Sequence, residues 1–247
     1  MMDNVGYVAL SRAAMIERST DITANNIANA NTDGFRGKLA FFGEMVADTR
    51  ANDQMRDMSY ALDRGSFADL SEGPLTPTGN PLDLAIEGNA WFAFARNNGD
   101  IALGRNGNFM LDPEGNLVTS AGHAVLDAGG GPINIPAEAG GVNVAPDGTI
   151  TGIDGEVIAQ IGLFEAPGIE NWQALDDLMQ APREGETPLV PALDARMAQG
   201  FSEGSNVNPI LEMSRMIGQQ RAFERAMNMA DAADQLRRDT IKRLGNS

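Results

Sequence analysis

From Pro209 to Leu244 the chain runs without a second proline and, after Gly218, without a glycine. Asn208 and Pro209 supply an N-cap followed by proline at the first helical position. Beyond them a 3-4 spacing passes through Met213, Met216, Gln220, Phe223, Met227, Ala230, Asp234, Arg237, Ile241 and Leu244, seven of the ten apolar. A sustained seven-residue repeat of this kind marks a coiled-coil seam. At about 1.5 Å per residue such a helix spans roughly 54 Å, too long for a modest globular domain to cover. It requires another helix beside it.

The N-terminal segment offers one. Val5, Val8, Met15, Ile16, Ile22 and Ile27 share a broad arc of a helical wheel, interrupted by Arg12, Thr23 and Asn26. Asn31, Asp33 and Gly34 supply the stop, with the glycine available for a left-handed C-cap. Both stripes are broad, so pairing them leaves apolar surface, including several adaptable methionines. Two readings follow from periodicity: a two-helix cap folded over a core, or a subunit whose terminal helices pack on other subunits.

The centre has a different period. Residues 81–126 consist of short apolar runs punctuated by glycine and asparagine, with Leu82, Leu84 and Ile86 alternating. Asp112-Pro113-Glu114-Gly115 is a turn between Phe109–Leu111 and Leu117–Thr119, and Pro146-Asp147-Gly148 and Asp154-Gly155 repeat its chemistry. These features predict antiparallel strands joined by hairpins. The expected fold is α+β: N- and C-terminal α-helices forming a coiled-coil domain (1–37 with 201–247), an extended connector (38–80) and a mainly antiparallel β central domain (81–200).

Charge follows the same division. The net charge is −16, yet residues 1–38 balance four acids against four bases and residues 209–247 carry a net +2, so the middle holds −18. That excludes nucleic acid as a partner. Near-neutral ends associate readily, whereas strong like charge keeps surfaces apart, so the ends are expected to assemble and acidic pairs such as Asp176 and Asp177 to face outward. No run of about 18 apolar residues is present, so no membrane insertion is expected. The first residues show no basic leader or small-residue cleavage site, and a cleavable secretory signal is not expected.

Chemistry is absent where an enzyme would need it. The chain has no cysteine and one histidine, His123, within a strand-like run and without a serine-centred motif. Asp127 to Pro132 lacks the Gly-Lys-Ser/Thr ending of a phosphate loop. Asp112 to Leu117 lacks the alternating ligands and distal glutamate of a calcium loop. The carboxylates are scattered through turns, so no catalytic, cofactor-binding or metal residues and no cofactors are assigned. A hydrolase on the β domain and a secreted β-rich binding module of adhesin type stand as the alternatives to a structural subunit.

One stretch carries more than local signals. "TANNIANANTDGFRG", residues 23–37, places Asn25, Asn26, Asn29 and Asn31 before Gly34 and Phe35, although asparagine competes for its own backbone in helices. It resembles the N-terminal signature of the rod and hook axial proteins of the bacterial flagellum. "GPLTPTGNPLDLAIEGNAWF" (73–92), "FMLDPEGNLVTSAGHAVL" (109–126) and "GFSEGSNVNPILEMSRMIGQQRAFE" (200–224) resemble further motifs of that family, in the family's order. The length and compact centre look most like a proximal rod subunit, with a distal rod or hook-type subunit as the alternative. Departures are His123 where an aromatic is common, Ala121 in place of aspartate, and Asp33-Gly34 in place of a hydroxyl-Gly pair.

The resemblance implies a non-enzymatic subunit, exported by the flagellar apparatus without signal cleavage. It implies helical polymerisation in the periplasm with copies of itself and other rod proteins, as a drive shaft that carries torque to the hook, and contact with the surrounding basal-body rings. The expected assembly interface comprises Val8, Met15, Ile22, Asn25, Asn26, Asn29, Asn31, Gly34 and Phe35 at the N-terminal end. At the C-terminal end it comprises Asn206, Asn208, Met213, Met216, Phe223, Met227, Ala230 and Ile241. Asparagine amides there are expected to satisfy backbone and neighbouring-subunit groups without adding charge.

Overall fold

A computed structural model of the 247-residue chain describes residues 2–47, 58–96, 98–169, 172–175, 178–182, 185 and 187–245. Asp176 and Asp177 lie outside the described residues, as does the side chain of Ile241. The chain forms two compact units: residues 1–28, 38–67 and 208–247, and residues 29–37 with 68–207.

The first unit is built on α1 (Met2–Ala28) and α2 (Pro209–Gly245). It also holds the paired strands Lys38–Ala47 and Met58–Ala68, which lie in the stretch expected as a connector. The helices run antiparallel, since the end of α1 meets the start of α2. Asn26 Nδ2 reaches Glu212 Oε2 at 3.5 Å, and Gln219 Nε2 donates to Ser19 Oγ at 2.7 Å and Thr23 Oγ1 at 3.1 Å. On α2 the covered positions include Glu212, Met216, Gln219, Phe223, Ala226, Ala230 and Ala233, again at 4-3 spacing, with Ala222 half-buried beside them. Three of them, Met216, Phe223 and Ala230, belong to the expected seam. The others stand one residue before the expected Met213, Gln220, Met227 and Asp234, because the alanines, Gln219 and Glu212 let α1 approach and meet its polar Ser19, Thr23 and Asn26. Asp234 pairs with Arg238 one turn along the same helix, at 2.7 Å.

The α2 start matches its sequence signal. Asn208 Oδ1 accepts from the amides of Ile210 (3.1 Å) and Leu211 (3.2 Å), satisfying donors that have no intrahelical partner. Asn208→Ala is expected to cost about 1 kcal/mol, read as a lowered urea midpoint of the helical circular dichroism signal. The α1 end differs from expectation. The helix stops at Ala28, and Gly34, at φ +72°, sits in the following turn; a Cβ there would lie 2.5 Å from the Asn106 backbone nitrogen. Close backbone passage, rather than a helix cap, is what requires glycine.

The second unit is β-rich. Its main sheet orders Gln173–Ala174, Gln180–Ala181, Ile101–Gly104, Trp91–Ala95, Ala124–Val125, Leu117–Thr119 and Phe109–Leu111, all antiparallel to their neighbours. The expected turn between Phe109–Leu111 and Leu117–Thr119 is present. Asp112 Oδ1 accepts from the amides of Glu114 and Asn116, and Gly115 adopts φ +86°. The Asn116 side-chain amide, donating to Asp112, leads the hydrogen bonds that hold the Asp112 carboxyl below its ordinary pKa. Phe92 and Phe109 meet edge-to-face with centroids 5.1 Å apart, among the buried Leu84, Ile86, Leu117 and Ile150. Two outer pairings join the ends of this unit in sequence: Arg196–Gln199 with Leu84–Glu87, and Phe201–Glu203 with Leu75–Pro77.

Candidate assembly site

The two terminal signatures, 168 or so residues apart as gauged from Phe35 to Glu203, meet within the β-rich unit. The Glu203 carboxylate is their centre. Its Oε1 lies 2.7 Å from Arg36 Nη2 and accepts the Gly73 amide at 3.0 Å, while Oε2 lies 3.4 Å from Arg105 Nε. The Glu203 carbonyl accepts the Gly34 amide at 2.7 Å. Arg36 Nη1 also donates to the Ser71 carbonyl, and Arg105 stands over the Trp91 ring, 5.6 Å from its centroid. All three charged side chains are at most 3% exposed. Burial pushes Arg105 down to about 10, with Glu203 opposing that shift and Arg36 adding to it. The arginine remains charged at neutral pH, so the cluster is two cations on one anion.

Asn206 completes the tie. Its Oδ1 accepts the Gly37 amide at 2.7 Å, and its Nδ2 donates to the carbonyls of Asp69 and Ser71, both at 3.0 Å. One amide thus stitches three backbone groups of two segments. Residues 34–37 and 203–206 therefore run side by side within the β-rich unit. In the helical unit Asn26 plays a parallel part, accepting from the Lys38 amide at 2.8 Å and donating to the Lys38 carbonyl at 2.9 Å.

The surface of α2 carries a second set. Ile210 (72% exposed), Met213 (48%), Ile217 (54%) and Met227 (36%) face solvent on one flank of the stripe packed against α1. Leu211, Met229 and Leu236 are exposed on the other flank. A cavity of about 390 Å³ lies between the helices, lined by residues that include Met15, Ile16, Gly218 and Ala222. Exposed apolar side chains thus stand on both flanks of the stripe packed against α1.

Three family profiles match in chain order. The flagella basal body rod protein profile covers residues 7–36, the flagellar hook protein FlgE/F/G D1 domain profile covers 85–152, and the flagellar basal body rod FlgEFG protein C-terminal profile covers 198–243. The flagellar basal-body rod protein FlgF of Caulobacter vibrioides is 38% identical over 246 residues, covering 99% of both chains. FlgF of Mesorhizobium japonicum is 37% identical over 100% of this chain and 99% of its own. FlgF of Escherichia coli K12 is 32% identical over 94% and 95%. The chain belongs to the flagellar basal-body rod protein family. It is a structural subunit of the basal body, most like FlgF, and not an enzyme.

Against that identity, the residues expected at the rod protein's interface fall into three groups. Gly34, Phe35 and Asn206 are held in the β-rich unit around Glu203, and Asn29 closes the preceding turn, its carbonyl accepting the Thr32 amide. Ile22 and Asn26 are buried in the helical unit, Met15, Met216, Phe223 and Ala230 are half-buried there, and Asn208 caps α2. Val8, Asn25, Asn31, Met213 and Met227 are exposed. The side chains of three of the asparagines, Asn26, Asn206 and Asn208, thus bind this chain's own backbone. Sequence reading quoted Arg36 and Glu203 inside motifs without giving them a role, and it missed Arg105, one charged residue after an apolar strand. Among the described residues no helix is long and apolar enough to cross a membrane, and no group of three metal-binding side chains is assembled. His123 exchanges hydrogen bonds with Thr119 through backbone and hydroxyl groups at a hairpin end.

Proposed function

We propose that this chain is a proximal rod subunit. It polymerises helically with copies of itself and other rod proteins into part of the drive shaft that carries torque from motor to hook. It reaches the periplasm through the flagellar export apparatus without signal cleavage, and its acidic middle faces the surrounding rings. The observation that carries the proximal assignment is full-length likeness to FlgF at 32–38% identity in five organisms, against 28–29% for FlgG proteins, which align over 238–263 residues. The interface consists of the exposed flanks of the terminal helices, to which Val8, Met213 and Met227 contribute directly. Ile22, Asn26 and Asn206 contribute by fixing the helices and their connections.

The test is deletion of the gene in its own host, followed by electron microscopy of purified basal bodies. Rods interrupted below the distal segment, restored by the plasmid-borne chain, are expected. Retention of the protein in the cytoplasm when the export gate is lost checks the route. Completed rods and normal swimming in the deletion strain would overturn the assignment.

A further inference from the structure

Glycine in the interior of an exposed helix is costly, yet α2 carries Gly218 four residues before Ala222. Nothing among the described residues accounts for it: a Cβ added there would meet no heavy atom within 4 Å. Gly218 instead lines the cavity between the helices, together with Met15, Ile16 and Ala222 and with the exposed Arg12 and Arg215. Arg215 is paired with Glu212, whereas Arg12 is exposed and has no ion pair among the described residues. Gln219 also lines the cavity, and its Oε1 is buried without a hydrogen-bond donor. The groove therefore combines apolar side chains with two exposed arginines and is short of one donor.

A complementary surface lies on the same helix. From Ile210 an exposed 3-4 stripe passes through Met213, Ile217, Gln220, Glu224 and Met227 to Asp231. It offers apolar side chains, two carboxylates and, at Gln220, an amide donor. At 100° per residue the stripe and the groove face nearly opposite sides of α2. A two-fold dimer places one patch on its own copy, so patches on opposite sides join copies head-to-tail, the contact type that propagates into rings or filaments.

We propose that the stripe of one copy docks in the Gly218 groove of a second copy of this chain. Glu224 and Asp231 then meet Arg12 and Arg215, and close approach of the helices depends on the missing side chain at 218. This rests on the reading of the chain as an assembling rod subunit, and specifies which faces touch.

Because the chain lacks cysteine, paired single variants report the contact cleanly. Met15→Cys protein in the groove and Ile217→Cys protein in the stripe are mixed at high concentration and oxidised. A disulfide dimer is expected from the mixture and not from Ile217→Cys alone. Adding Gly218→Leu to the groove partner should cut its yield about tenfold, the loss expected when a docking helix is held off. Gly218→Ala and Gly218→Leu should both raise the melting temperature of the helical signal, so lost docking cannot be lost folding. Arg12→Glu should weaken the cross-link, and Glu224→Arg on the opposite partner should restore it. Unchanged yield with Gly218→Leu, cross-linking of Ile217→Cys to itself at equal yield, or cross-linking only to a different rod protein would overturn the proposal. In cells, rods and swimming that survive Gly218→Leu would sink this docking mode and leave the rod assignment standing; failure of the parent chain to restore rods would sink the assignment itself.

Discussion

Glu203→Ala is expected to lower the stability of the β-rich unit by about 3–5 kcal/mol, the cost of removing the partner of a buried charge. The variant leaves the Arg36 and Arg105 guanidiniums, each at most 3% exposed, without their anion, and it strips the Gly73 amide of its acceptor. Glu203→Gln keeps an acceptor for Gly73 but not the charge, and should recover only part of the loss. Urea denaturation followed by tryptophan fluorescence measures it, since Trp91 lies in this unit beneath Arg105. A change at an exposed carboxylate such as Asp100 should cost little by comparison. A loss under about 1 kcal/mol for Glu203→Ala would mean that the cluster does not hold the two chain segments together.

The pH dependence of that loss follows from Arg105. Its folded pKa is about 10, well below the ordinary guanidinium value, so the folded state binds this proton less well than the unfolded state. The burial penalty is therefore fully present below about pH 10 and fades only as pH rises from there toward the ordinary guanidinium value. Glu203→Ala removes the charge that opposes this shift, so Arg105 of the folded variant releases its proton at lower pH than the parent's, and the stability gap between the two, followed by the same urea series, should narrow as pH rises toward 10.

What the sequence made legible depended on whether the signal was local. The hairpin turn at Asp112–Gly115 was legible because its whole mechanism lies within five residues: an aspartate that accepts nearby amides and a glycine at positive φ. The Asn208 cap was legible for the same reason. The helical seam was legible by half. Met216, Phe223 and Ala230 announce themselves as apolar residues at the right spacing, but Glu212, Gln219 and Ala226 pack on α1 through small size and hydrogen bonds, which hydropathy does not register. Arg105 was illegible. A lone arginine after Ile101–Gly104 reads as a strand end, and only the fold brings it to Glu203.

That half-legible seam separates the last pair of variants. Phe223 and Met227 are four residues apart and both belong to the expected seam, yet Phe223 is half-buried on the face toward α1, whereas Met227 is exposed beside it. Phe223→Asp buries a carboxylate within the helical unit and should cost about 3 kcal/mol or more of its stability. Met227→Asp should leave the isolated protein within about 0.5 kcal/mol of the parent, since an exposed helix position tolerates aspartate. Both should stop rod assembly and abolish swimming, the first because the helices no longer form the surface and the second because a charge enters a contact between subunits. Circular dichroism melts of the purified variants, set beside electron microscopy of basal bodies from cells expressing each, distinguish the two routes. Normal rods with a correctly folded Met227→Asp would show that this flank of α2 faces solvent in the finished rod, and the interface would then have to be sought around Leu211, Met229 and Leu236 on the other flank.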